Sequence, residues 1–121
     1  MIDSWAWIEY FKGTALGQRA KPFVEGNDEI LVSSLNVAEV YLFCLRHRPN
    51  ETNSFIGFLL KSSFVIPPST EMAIDAAKHK HEKKMGMTDA IIYSTAQKHG
   101  ARIVTGDDDF KGMEGVEYIG K

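Results

Sequence analysis

The chain has 121 residues, 44% of them apolar and 25% charged, and a formal net charge of −2. That size fits one core burying roughly two-thirds of the unfolded surface, and the composition excludes a disordered tail or a fibre. No apolar run approaches the roughly 18 residues that span a bilayer, and the early acids Asp3 and Glu9 do not suit a signal peptide, so a cytoplasmic protein with a single domain over 1–121 is expected.

In chain order, Met1 and Ile2 read as the end of a first strand, with Ser4 placed to cap a helix that carries Trp5, Ile8 and Phe11 on one face and stops at Gly13. A short helix over Leu16 to Val24 leads through Gly26-Asn27-Asp28 into a second strand, Glu29 to Val32. Residues Val37 to Arg46 form a helix apolar nearly all round, a pattern that belongs at the centre of a fold or in an interface. The lone cysteine, Cys44, has no intrachain disulfide partner and reads as a packed small hydrophobe.

Arg48-Pro49-Asn50 breaks that helix, and Phe55, Phe58 and Leu59 give the next one its stripe before a third strand at Ser63 to Ile66. Ser69 or Thr70 caps a helix running to Lys84, and Thr88 opens another that runs to His99, with Gly100 at its end. Arg102 to Thr105 is a fourth strand and Val116 to Ile119 a short fifth. Strands separated by helices predict an α/β fold, a central mainly parallel sheet of four or five strands covered on both faces.

Asp3, Glu39, Asp89 and Asp107 each stand where a strand ends or a helix begins. Each has an ordinary structural explanation: a cap at Asp3, a capping-box partner of Asn36 at Glu39, a favourable helix-start charge at Asp89, a turn at Asp107. Together they fall where open parallel sheets gather their ligands, and carboxylates crowded there need a cation to offset their repulsion. A metal site follows.

The overall charge does not mark a nucleic-acid binder. Of 16 acidic residues, however, four belong to the candidate site, which leaves 12 against 14 basic ones and a balance of +2 for the remaining surface.

Four stretches resemble, in order, the signatures of PIN-domain nucleases: Met1 to Trp5, Ser33 to Tyr41, Met87 to Ala96, and Ile103 to Phe110. The resemblance implies a three-layer α/β/α domain that hydrolyses phosphodiester bonds with Mg²⁺ or Mn²⁺. Small members are commonly VapC-type toxins, dimeric endoribonucleases held by an antitoxin protein, so an RNA substrate, a homodimer and an antitoxin partner are expected. By motif match, Asp3, Glu39, Asp89 and Asp107 take the acidic positions, and Ser4 and Thr105 the hydroxyl positions beside them.

The chemistry asks for such a set, because phosphodiester hydrolysis needs an activated water and neutralised phosphoryl oxygens, and hard cations take oxygen ligands. Asp3 and Asp107 are the expected direct metal contacts, with Asp89 sharing one ion or orienting the attacking water, and Glu39 receiving a proton from that water or binding a second ion. Ser4, Thr105 and Asn36 orient those carboxylates through hydrogen bonds. Asp109 is an additional acid in a run of three, Asp107 to Asp109, whose register is open.

Other features carry less. His79 and His81 are two residues apart and diverge on a helix, which argues against a zinc pair. Lys78, Lys80, Lys83, Lys84, Arg46 and Arg48 can track an RNA backbone, although such faces are usually only solvated. For most of Trp5, Trp7, Tyr10, Tyr41 and Phe43, packing is a better reading than base stacking. Two alternatives stand beside the nuclease: a phosphate-handling or phospho-receiver α/β domain, and a catalytically silent PIN binding module.

Overall fold

The computed structural model describes all residues from Met1 to Lys121. Six helices, α1 (Ser4–Lys12), α2 (Ala15–Val24), α3 (Ser34–His47), α4 (Thr52–Ser62), α5 (Thr70–Lys83) and α6 (Met87–Lys98), alternate with four short strands, β1 (Leu31–Ser33), β2 (Phe64–Ile66), β3 (Ile103–Thr105) and β4 (Val116–Tyr118). β1 pairs in parallel with β2, and β3 in parallel with β4. The N-terminal residues join the two pairs. Ile2 bridges Val104 in parallel, while the Ile2 amide donates to Leu31 O at 3.1 Å and the Asp3 amide to Val104 O at 3.0 Å. The spatial order is therefore β2, β1, residues 1–3, β3, β4, with the chain's beginning at the centre of a parallel sheet.

One core lies on the side of α1 to α4, where Trp7, Val32, Val40, Cys44 and Leu59 are fully buried and the Phe11 and Phe55 rings stack at 4.5 Å. The other lies beneath α5 and α6, around Ile92, Tyr93, Ile103 and Phe110. Fully burying an aliphatic or aromatic side chain is worth about 1.5–3 kcal/mol, so these two layers hold the short strands in place. The sheet is thus covered on both faces, as the alternation of strands and helices predicts. No helix is long and apolar enough to cross a membrane.

Local differences from the sequence reading have local causes. α3 begins at Ser34 rather than Val37, because Ser33 and Asn36 form the capping box: the Ser33 hydroxyl accepts from Leu35 N and the Asn36 carboxamide oxygen from Ser33 N. Glu39 is left free of capping. α2 begins one residue before Leu16 because the Thr14 hydroxyl accepts from Gly17 N at 2.9 Å. The first helix is capped at Asp3, not Ser4, and the Asp3 side chain makes no capping bond. α6 opens after Gly86, one residue before Thr88.

Candidate metal centre and its acidic crevice

The carboxyl ends of the central strands and the starts of α3 and α6 meet in one crevice, which positions every acid singled out in the sequence. Asp3 leaves the innermost strand and is 3% exposed. Its Oδ1 accepts from Asn36 Nδ2 at 3.1 Å and its Oδ2 from Thr105 Oγ1 at 2.8 Å. Both partners are fully buried, so a carboxylate on a very short strand gains its rigidity from α3 and β3. Thr105 Oγ1 also accepts from the Asp107 amide at 3.0 Å, coupling Asp3 to the next acid through one hydroxyl.

Asp107 caps the short 3-10 turn Asp108–Phe110, its Oδ1 accepting from Asp109 N at 2.9 Å. That turn resolves the register of the three aspartates. Asp109 faces the crevice, and Asp108 accepts instead from the Tyr118 hydroxyl at 2.6 Å. Carboxylate oxygens of Asp89, Asp107 and Asp109 all lie within 4.8 Å of one another. Asp89 reaches them from the first turn of α6. Glu39, on an exposed face of α3, is oriented by Ser4 Oγ, which donates to its Oε1 at 2.8 Å.

The electrostatics follow from this crowding. Burial lifts the Asp3 carboxyl from 3.8 to about 6, opposed by the Thr105 hydrogen bond and reinforced by Glu39 and Asp107. Asp89 is lifted further, from 3.8 to about 7, by burial first and then by Asp107, Asp3, Asp109 and Glu39. Five acids therefore share one field. The donors are all oxygens with no histidine or cysteine among them, and the closest three can meet around a single point, so they fit a hard divalent cation.

The structure thus gathers Asp3, Glu39, Asp89 and Asp107 and sets Ser4, Asn36 and Thr105 as their hydrogen-bonding partners. It places Asp109, which the sequence left open, in the closest trio. Asp3 and Glu39 stand outside that trio. The signal for Asp109 was available in Asp107 as a turn cap, since a cap at that position turns the residue two further on back toward it.

Comparison with known proteins agrees with the crevice. The family model for the PIN domain matches residues 1–116. The chain belongs to the PIN domain family. Among solved structures, a chain of a toxin-antitoxin complex from Klebsiella pneumoniae is 25% identical with a TM-score of 0.82, covering 98% of this chain and 95% of that one. VapC20 of Mycobacterium tuberculosis, described as a toxin that cleaves the sarcin-ricin loop, is 15% identical with a TM-score of 0.76 over 93% of each chain. A DNA-bound VapBC from Salmonella typhimurium gives 17% and 0.75, covering 98% of this PIN domain and 96% of its counterpart. The last two share the fold with this chain. No curated protein sequence matches it.

Other residues weighed in the sequence behave as structure. His79 packs edge-on against Tyr93 at 5.0 Å, and Lys83 Nζ sits 5.1 Å over the same ring. Lys80 Nζ donates to Met85 O at 3.1 Å. Two of the lysines that the sequence offered to RNA are thus engaged within the PIN domain.

Proposed function

We propose that this PIN domain is a metal-dependent endoribonuclease and the toxin of a toxin-antitoxin pair. The observation that carries the reading is the convergence of five acids at the carboxyl ends of a parallel sheet in a chain of this family. The toxin-antitoxin complex and the VapBC neighbour support the toxin assignment by likeness.

Asp89, Asp107 and Asp109 are assigned to hold Mg²⁺ or Mn²⁺, with Asp3 completing the ligand field from the floor of the crevice. The bound ion would supply Lewis acidity, lowering the pKa of water and neutralising phosphoryl oxygens. Asn36 and Thr105 keep both Asp3 oxygens fixed, which preserves the geometry while the charge around it changes. Glu39, exposed and steadied by Ser4, is the residue placed to take the proton from an attacking water.

An RNA strand reaches the crevice from solvent. Large apolar side chains exposed on α3 (Tyr41, Leu42, Leu45), on α4 (Phe58, Leu60) and on the edge strand β2 (Phe64, Val65) offer surface to a second copy and to an antitoxin segment. Family membership leaves no separate observation in favour of a phospho-receiver. Labelled single-stranded RNA incubated with the protein, with and without Mn²⁺ and beside Asp107→Asn, tests the proposal. Cleavage that needs both Mn²⁺ and Asp107 is expected; a metal-loaded protein that leaves RNA intact would be a silent binding module.

A further inference from the structure

Beside the acids lies a smaller cleft of about 280 Å³ that the catalytic reading does not use. Trp5, Gly106, Asp108, Tyr118, Glu9 and Lys121 line it. It adjoins the crevice through the backbone, because Gly106 and Asp108 flank Asp107, and Trp5 follows Asp3 by two residues. Its volume falls just below the roughly 300–1,000 Å³ of pockets for drug-sized ligands, which suits one planar heterocycle.

The walls are flat aromatic surfaces seated on glycine. A Cβ at Gly106 would fall inside the Trp5 indole, and a Cβ at Gly120 inside the phenol end of Tyr118. Unlike Trp7, which is wholly buried, Trp5 is half-buried, so part of its indole faces the cleft. Tyr118 is fixed by its bond to Asp108 at 2.6 Å and by Lys111 Nζ at 5.1 Å from its ring.

Charge decides what enters. Glu9 and Asp108 line the cleft with carboxylates beside Lys121, and each keeps one oxygen free of the bonds that Lys12 and Thr14 make to Glu9 Oε2 and Tyr118 makes to Asp108 Oδ1, a setting better suited to a neutral ring carrying N–H donors than to a phosphate. We infer that the Trp5–Tyr118 cleft is a nucleobase subsite, which stacks one base of single-stranded RNA on Trp5 next to the scissile phosphate. The inference rests on the nuclease reading and names where its substrate is gripped. Adenine, cytosine and guanine offer exocyclic amines to Glu9 and Asp108; uracil does not, and binds less well.

The chain's other tryptophan is sealed in the core, so a change in emission on binding reports Trp5. A single-stranded RNA octamer added to the protein in Ca²⁺ quenches wild-type fluorescence, and Trp5→Phe removes the quench. Trp5→Leu weakens octamer binding about tenfold, within the range measured for loss of one base stack. Because Trp5→Leu can disturb the Gly106 turn, the wild-type protein is also tested with octamers carrying one abasic nucleotide at successive positions. One position beside the cleavage site weakens binding about as much as Trp5→Leu does, and Trp5→Leu is indifferent to it. Cleavage in Mn²⁺ with no quench and no sensitive position overturns the subsite and leaves the nuclease standing. Quenching and a sensitive position without cleavage keep the subsite and remove the nuclease; neither signal removes both.

Discussion

Replacing Asp3 with asparagine isolates the energetic consequence of burying a carboxylate among four others. The folded carboxyl keeps its proton up to about pH 6, whereas unfolded it releases it near 3.8. Between those values the folded chain binds more protons, so the metal-free stability contributed here is highest below about pH 4 and falls as pH rises toward 6. The gap corresponds to about 3 kcal/mol at 1.36 kcal/mol per pH unit, and at 3% exposure solvent screens little of it. Asp89 acts with the same sign up to about pH 7, its larger shift discounted for solvent screening because it is only half-buried.

Asparagine removes the charge but not without cost. Its oxygen must face Asn36 Nδ2, because Asn36 is held in that orientation by the capping box. The new amide group then faces Thr105 Oγ1, whose hydroxyl proton loses its acceptor, a penalty of about 1–2 kcal/mol. Asp3→Asn should therefore be slightly less stable than wild type at pH 4 and more stable by about 1–2 kcal/mol at pH 7. Urea unfolding in EDTA at the two pH values measures the crossing. The buried Met1 ammonium, lowered from 8.0 to about 6, adds stability as pH rises from 6 to 8 in both proteins and cancels in the difference. Parallel pH profiles for the two proteins, within about 0.5 kcal/mol, would refute the claim that Asp3 is strained by its surroundings.

Divalent ions should reverse that strain: Mg²⁺ or Mn²⁺ at about ten times its Kd stabilises the wild type by about 1.4 kcal/mol, and Asp107→Asn should lose most of that gain in a thermal melt. Asn36→Leu removes both the Asp3 contact and half of the α3 capping box, so a loss of about 2–3 kcal/mol is expected by urea unfolding, with a steeper fall in stability between pH 4 and 7. Gly106→Ala drives a methyl group into the Trp5 indole and should cost about 1–3 kcal/mol in the same assay; a neutral result would mean the indole moves freely. Lys83→Ala should cost about 0.5–1 kcal/mol of stability through its contact with Tyr93 while leaving the salt dependence of RNA binding unchanged, as read by titration at several ionic strengths.

Much of the fold was legible because several helices announce themselves by a cap, a terminal glycine or an apolar stripe. Ser69 accepts from Met72 N, Gly13 and Gly100 close their helices in the left-handed region, and Pro67-Pro68 stops β2. What was not legible depends on which of two neighbouring residues wins a competition for partners. Asn36 lies in reach of both Ser33 and Glu39 along the chain, and only tertiary contact with Asp3 shows why its side chain is committed to the strand side. Asp3 reads as a helix cap from sequence, yet Asn36 and Thr105 engage its oxygens more strongly than the first turn of α1 does.

The candidate site divides along the same line. Residue type, position at strand ends and helix starts, and the family resemblance identified the acids, because repulsion among them is a property that survives without knowing any distance. Their unequal environments could not be read in advance. Asp3 is buried and doubly hydrogen-bonded, Glu39 is exposed and held by one hydroxyl, and Asp89 carries the largest upward displacement, through burial first and then the four other acids around it. These differences separate a buried, doubly hydrogen-bonded floor from a more exposed rim within a single cluster of carboxylates. Keeping a charged Asp3 in that floor at pH 7 costs about 3 kcal/mol, while asparagine, nearly identical in shape, would remove the charge and lose only the acceptor for Thr105, so the fold gains less from the carboxylate than it gives up.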